Sequence, residues 1–329
     1  MNILVCSTVF HPAVGGLENL TLLLIKEFIR AGHQVKVVTE QVQDPARPLE
    51  GVEVIHISEH LRTLRFFLWC DVLYMPNITL KCVWLMAFNP FKKWVISHNG
   101  FHMQQSTPLK AALKHFFTAR ASRSICVSRS VADSIGSPST VIHNCYDDDV
   151  FKLYPDEPRV HDFVFVGRLV TQKGCDLLID ACRGIDRPYT LNIVGEGVEL
   201  QCLKDRVSAM GLEARVNFMG MMRGERLARF LNRHRVMIVP SRDLEGFGLV
   251  ALEGMACGCH MVVSDSGGLV EAIGEHGEVF QMGNVQELRK LLESSLNGAG
   301  DSTMTRARAA YLSEHSKANV AKKYLEAFN

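Results

Sequence analysis

The 329-residue chain is 47% hydrophobic and 22% charged, with 36 Lys and Arg against 35 Asp and Glu, a net charge of +1 at pH 7. That balance excludes a disordered or collagen-like chain and gives no global attraction to nucleic acid, and no apolar run approaches membrane-spanning length. A chain this long exceeds the usual single core, so two domains are expected.

Asn2 to Phe10 reads as a buried parallel strand starting directly after Met1, so no leader is expected and the location is read as cytoplasmic. The loop His11–Leu17 contains Gly15 and Gly16, and an amphipathic helix from Glu18 to Ala31 follows, closed by Gly32. His33–Thr39 is the second strand. This βαβ opening places a glycine loop where doubly wound folds bind ligands, but GxGxxG is absent, which disfavours a dehydrogenase. Shorter strands follow near Val52–Ile57, Val72–Met75, Trp94–His98, Ser124–Ser128 and Thr140–His143. Tyr154–Arg159, with two prolines and exposed charge, reads as a linker. The expected domains are therefore 1–154 and 159–314, with a last helix at 315–329 that can pack back on the first domain.

Beyond the linker the α/β alternation restarts. Asp162–Val166 is a strand, Gly167–Gly174 a loop holding Arg168 and Lys173, and Leu191–Val194 a strand running into Gly195-Glu196-Gly197. Helices are expected at about Val198–Met210 and Glu225–Arg233, and a strand at Val236–Pro240. The stretch Ser241–Gly258 then reads as a turn into a helix. Gly246 and Gly248 flank Phe247, Leu249 opens the helix, and Glu245 and Glu253 stand eight residues apart. Glycines let backbone approach a ligand, and the first N–H groups of a helix favour an anion. Two carboxylates around such a turn suit a polyol that carries phosphate. The plainer alternative is a capping Glu and a surface-paired Glu. Arg168 and Lys173 offer a planar fork and a mobile point charge, a pair suited to two adjacent phosphates; the plainer alternative is two solvated cations.

None of the ten cysteines falls in a CxxC pair, so reduced buried thiols are expected and zinc is not. Charge is uneven: between Arg62 and Arg129 there are ten Lys and Arg and one acid, Asp71. Within that span Thr107 caps, Pro108 starts, and Leu109, Leu113 and Phe116 or Phe117 stripe a basic amphipathic helix. Leu109–Arg123 is thus a candidate contact for an anionic membrane surface, with a core-packed helix as the plainer alternative.

In their order and spacing, PAVGGLE, AGHQVKVVT, SHNG, HNCYDDDVF, VGRLVTQKG, IVGEG, EGFGLVALEGMACG and SDSGGLVE resemble the retaining glycosyltransferases of family 4 over nearly the whole chain. One departure is Asn144-Cys145, where that family usually has Asn-Gly. The resemblance implies the GT-B fold, two Rossmann-like doubly wound domains facing an interdomain cleft. It implies a nucleotide-diphosphate sugar as donor and a glycan, lipid or small-molecule hydroxyl as acceptor, in cell-surface polysaccharide or glycolipid synthesis. By resemblance Arg168 and Lys173 hold the diphosphate, Glu253 the ribose, Glu245 the donor sugar, and His98 contacts that sugar. Gly15, Gly16, Asn144, Gly246, Phe247, Gly248 and Leu249 border the donor. Gly195, Gly197 and Met221 are candidate base-pocket positions, and Asn99–Leu109 a candidate acceptor loop. No metal or other cofactor is expected, since no DxD pair ends a strand and the cations can serve the phosphates. Two further readings stay open: a nucleotide-sugar epimerase, and a non-catalytic nucleotide-sugar-binding subunit.

Overall fold

Runs of β-branched and apolar residues with both faces covered set the strands of this protein. The computed structural model describes residues 1–10, 15–41, 49–101, 107–298 and 304–329. The start of the expected glycine loop, 11–14, and much of the expected acceptor loop, 102–106, lie outside the described residues. The chain divides into two compact units, Met1–Cys145 with His315–Asn329, and Tyr146–Glu314.

In the first unit β1 (Asn2–Cys6) leads to α1 (Gly16–Arg30) and β2 (Gln34–Thr39). There follow β3 (Glu53–His56), α2 (His60–Trp69), β4 (Val72–Pro76), β5 (Lys93–His98), α3 (Pro108–Thr118), β6 (Arg123–Cys126), α4 (Arg129–Ile135) and β7 (Thr140–Val141). All pairings are parallel, in the order β3-β2-β1-β4-β5-β6-β7. Helix α1 begins two residues ahead of the sequence expectation, because the Asn19 amide donates to the Gly15 carbonyl and closes a turn there. Helix α2 was not foreseen. Its Phe66 and Phe67 are buried, while Leu61 and Leu68 face outward. β4, the strand after it, is buried at every position.

The second unit runs β8 (His161–Val166), α5 (Cys175–Cys182), β9 (Leu191–Val194), α6 (Leu200–Ala209), β10 (Val216–Gly220), α7 (Gly224–Asn232) and β11 (His234–Val239). It closes with α8 (Leu249–Ala256), β12 (His260–Ser264), α9 (Gly268–Ile273), β13 (Gly277–Phe280), α10 (Val285–Leu296) and α11 (Arg306–Glu314). Its parallel order is β10-β9-β8-β11-β12-β13. The order reverses between β8 and β11, so the loops after those two strands are neighbours at the carboxyl edge, where doubly wound sheets bind ligands.

The change of unit falls at Cys145–Tyr146, ahead of the expected Tyr154–Arg159 linker. That proline-rich segment is bonded into the second unit. The Tyr154 amide donates to Asn232 Oδ1, and Arg159 donates to the carbonyls of His234 and Cys257. After Glu314 the chain returns, and α12 (Lys317–Phe328) packs on the first unit. Phe328 lies edge-on to Phe28 at 5.4 Å, and Tyr324 edge-on to Tyr74 at 5.7 Å. Nine of the ten cysteines are buried, Cys202 being the exposed one, and no disulfide joins any of them among the described residues. Among the described residues no helix is long and apolar enough to cross a membrane.

Candidate functional site

The second unit's carboxyl edge is built from four loops. β8 ends at Val166, and the segment through Arg168 turns at Thr171–Lys173 before entering α5. Gly174, at φ +66°, ends that turn where a Cβ would meet the Pro240 carbonyl at 1.9 Å. The Arg242 amide donates to the Gln172 carbonyl, so the loops after β8 and β11 are fixed to each other. Gly195, at φ +145°, lets a third loop close on Gly167, where a Cβ would stand 1.8 Å from a carbonyl oxygen; Gly197 packs as closely on Leu169. Gly195 and Gly197, expected at a base pocket, therefore have a structural duty of their own.

Lys173 and Glu245 meet at 2.5 Å between Nζ and Oε1, both part-buried. Ser241 Oγ donates to the same carboxylate oxygen at 2.6 Å. The Glu245 backbone is held as well. Its amide donates to Ser266 Oγ, and its carbonyl accepts from the Gly268 amide at 2.9 Å. Gly246 follows, then Phe247, which is 2% exposed. The Phe247 ring is thus core, and what its position offers a ligand is backbone. Gly248, at φ +96°, is the N-cap of α8, and a Cβ there would strike Leu269.

Helix α8 buries Ala251, Leu252, Met255 and Ala256, and carries Glu253 on its less buried side. Burial, then the nearby Asp147 charge, pushes the Glu253 carboxyl up to about 8. The far end of the helix is neutralised. Arg308 donates to the Met255 carbonyl at 2.7 Å and to the Cys259 carbonyl, and Arg159 to the Cys257 carbonyl at 3.0 Å. Cations at a helix C-terminus complement its dipole, while the N-terminus at Gly248, just after the Glu245 that Lys173 holds, keeps its partial positive charge.

Glu253 makes a pH prediction. A raised folded-state pKa means the native state holds the extra proton between about pH 4.5 and 8. The stability it contributes is present below the lower value and lost as pH rises through the upper one, at no more than about 1.4 kcal/mol per pH unit. Glu253→Gln is expected to flatten that part of the profile, gaining on the wild type as pH rises from 5 to 9, as read from native-state hydrogen exchange of the second unit's amides. Parallel profiles for the two proteins would refute the assignment.

The remaining expected residues lie in several places. Half-buried Leu249 starts α8, and Met221 is 42% exposed just after β10, whose Gly220 carbonyl accepts from the Gly195 amide. In the first unit Gly15 caps α1 in extended backbone and Gly16 is its first residue, so both mark a helix N-terminus rather than a free loop. His98 ends β5, fully buried, with Nε2 3.1 Å from Ser124 Oγ. Asn144 is 5% exposed with its Oδ1 buried and unpartnered, beside fully buried Cys145. Residues the sequence reading did not single out are Ser241, Ser266, Asp147, Arg159 and Arg308. The SDSGG run was visible, but nothing local tied Ser266 to Glu245. Among the described residues no group of three or more His, Cys, Asp or Glu is placed to hold a metal.

Residues 152–312 match the model of the family described as group 1 glycosyl transferases. An uncharacterized glycosyltransferase of Methanocaldococcus jannaschii is 32% identical over 209 residues, 58% of this chain and 56% of that protein. Glycogen synthase of Mycobacterium tuberculosis is 33% identical over 178 residues, 52% of this chain and 42% of its own length. The matched part thus spans about half the length of such relatives or less. Solved structures extend the likeness over the whole fold. HepE of Anabaena, solved with UDP, has a TM-score of 0.85 at 21% identity, covering 99% of both chains. A sucrose-phosphate synthase of Thermosynechococcus elongatus has 0.80 at 20% identity, covering 99% of this chain and 98% of that one. The architecture is that of the GT-B glycosyltransferases.

Proposed function

We propose that this chain is a glycosyltransferase moving a hexose-type sugar from a nucleotide-diphosphate sugar to a hydroxyl of a glycan, lipid or small molecule, with retention at the anomeric carbon. The observation that carries the reading is the Lys173–Glu245 pair set beside the glycine-cleared N-terminus of α8, with Glu253 further along the same helix. Lys173, Arg168 and the helix N-terminus supply positive charge for the diphosphate without calling on a metal. Glu253 accepts bonds from the vicinal hydroxyls of the ribose. Such donors favour its charged form and draw down a carboxyl that burial has raised.

In the reaction the bond from the anomeric carbon to the β-phosphate oxygen breaks, and charge grows on that phosphate. The acceptor oxygen forms its bond to the same carbon from the same face. The acceptor's proton passes to the departing phosphate, so the products are the glycoside and the nucleotide diphosphate. Glu245 is held from three sides, by Lys173, Ser241 and Ser266, which suits a group that orients sugar hydroxyls better than a free nucleophile. A membership in family 4 and a role in polysaccharide or glycolipid synthesis belong to the same proposal.

A thermal-shift screen of nucleotide diphosphates and their sugars tests it. UDP and UDP-glucose come first, since HepE has been solved with both. A ligand at 100 times its Kd stabilises by about 2.7 kcal/mol, which raises Tm measurably. Transfer of labelled sugar to an added acceptor is then expected. No shift with any nucleotide diphosphate would reject the reading; conversion of the donor to its epimer without acceptor would replace it by an epimerase.

A further inference from the structure

Helix α3 faces outward with the wrong side for a soluble surface. Of its eleven residues only Thr118 is buried, while Leu109 is 73%, Leu113 41% and Phe116 49% exposed. Spaced by four and three residues, they form one stripe less than a quarter-turn wide. The helix is nonetheless docked, since Phe117 on another side lies 6.4 Å from the buried Trp94 ring. The stripe is therefore the outer face of a packed helix, not the core face of a displaced one.

Charge around the stripe has one sign. Lys110 and Lys114 share the helix with it, Arg120 and Arg123 follow in the chain, and no acid occurs between Asp71 and Asp133. Arg120 lies over the Phe116 ring at 3.5 Å, so a guanidinium travels with the apolar patch. Burial, and after it the Lys110 charge, hold the half-buried Lys114 ammonium below its ordinary pKa. The same end of the sheet adds more. β5 pairs with β6 at Val95 and Arg123, which puts Phe91, 95% exposed, at that end, while the half-buried Lys92 and Lys93 beside it donate to the Cys70 and Asn329 carbonyls. Large apolar side chains and cations in a stretch of chain without Asp or Glu match an anionic bilayer, whose boundary takes rings and leucines while its phosphates take Lys and Arg. An acidic protein would match the charge but not so much aliphatic and aromatic exposure.

We propose that α3, with the adjoining edge at Phe91–Lys93, docks on an anionic membrane surface. The proposal concerns the first unit alone and stands apart from the transferase reading, whose test is nucleotide binding.

Flotation of the full chain with vesicles of phosphatidylcholine, with and without phosphatidylglycerol, tests it at low and high salt. Binding is expected to the anionic vesicles and to fall with salt. Lys110→Ala with Lys114→Ala is expected to weaken partition about fivefold per cation removed. Leu109→Ser with Phe116→Ser is expected to weaken it roughly tenfold or more per residue. The altered side chains are largely on the surface, so both variants should keep the wild-type Tm and its shift with UDP. No binding to anionic vesicles in either salt would overturn the proposal. Binding that both variants retain would overturn it too, as would lipid-free self-association abolished by the same substitutions.

Discussion

Replacing Lys173 by alanine is expected to cut the rate of sugar transfer by about 10²–10³, the usual cost of one donor aimed at charge developing in the transition state. The argument runs from the loop. Gly174 turns the chain under Pro240, and the Arg242 amide clamps the Gln172 carbonyl, so the ammonium is presented from a braced turn. In the structure Lys173 pairs with Glu245. Two explanations of that pair make different predictions. If the lysine serves only to steady Glu245, then Lys173→Ala and Glu245→Gln should lose alike, and nucleotide diphosphate should bind both variants as it binds the wild type. If the lysine transfers its charge to the departing phosphate, Lys173→Ala should weaken nucleotide diphosphate as well as slow transfer. Glu245→Gln should then bind it normally or better, because it frees the ammonium. We expect the second pattern, read by titration calorimetry with UDP beside the kinetic constants. Equal nucleotide affinity in all three proteins would refute it. The part-buried setting of the pair makes the charge matter more than it would on an open surface.

The doubly wound pattern was legible in the sequence because its signals are local. A strand, a glycine loop and a helix in sequence name the carboxyl edge of a parallel sheet, and the runs from β8 to α5 and from β11 to α8 each carry all three. What was not legible rests on contacts between distant residues. Ser266 holds the Glu245 amide across 21 residues, and Arg308 reaches the end of α8 from 53 residues away. Tyr154–Arg159 has a linker's composition, yet Arg159 spends its guanidinium on two backbone carbonyls, which no composition reveals. Helix α2 was missed because Phe66 and Phe67 are followed by Leu68 and Trp69, an apolar run whose outward members blur its period. The stripe on α3 had the opposite fate. Its period was plain, but only the fold shows that the striped side points out.

Phe328→Ala is the substitution expected to cost most in stability, about 3–5 kcal/mol, the range for emptying a buried phenylalanine site. In the sequence the last helix is expected to be able to pack back on the first domain, with no partner residue named. The structure supplies the partners: Phe328, fully buried, meets Phe28 of α1 and Tyr74 of β4 at 5.4 Å each, and Tyr324 backs Tyr74. Lys93 Nζ donates to the Asn329 carbonyl at 2.8 Å, fixing the end of the chain to the start of β5. The first unit is therefore completed by residues that follow the whole of the second. Losing the ring should loosen α1, β4 and α12 together while the second sheet keeps its own core. A single unfolding free energy does not describe a two-unit chain, so the measurement has to resolve the units. Native-state hydrogen exchange does so. In Phe328→Ala the amides of β1, β4 and β5 should lose protection by the amount stated, and those of β8, β11 and β12 should not. The thermal shift with UDP should persist, because Lys173, Glu245 and Glu253 all lie in the unit left intact. Equal loss of protection in both sheets would show that the two units unfold as one and would refute the separation argued from their cores.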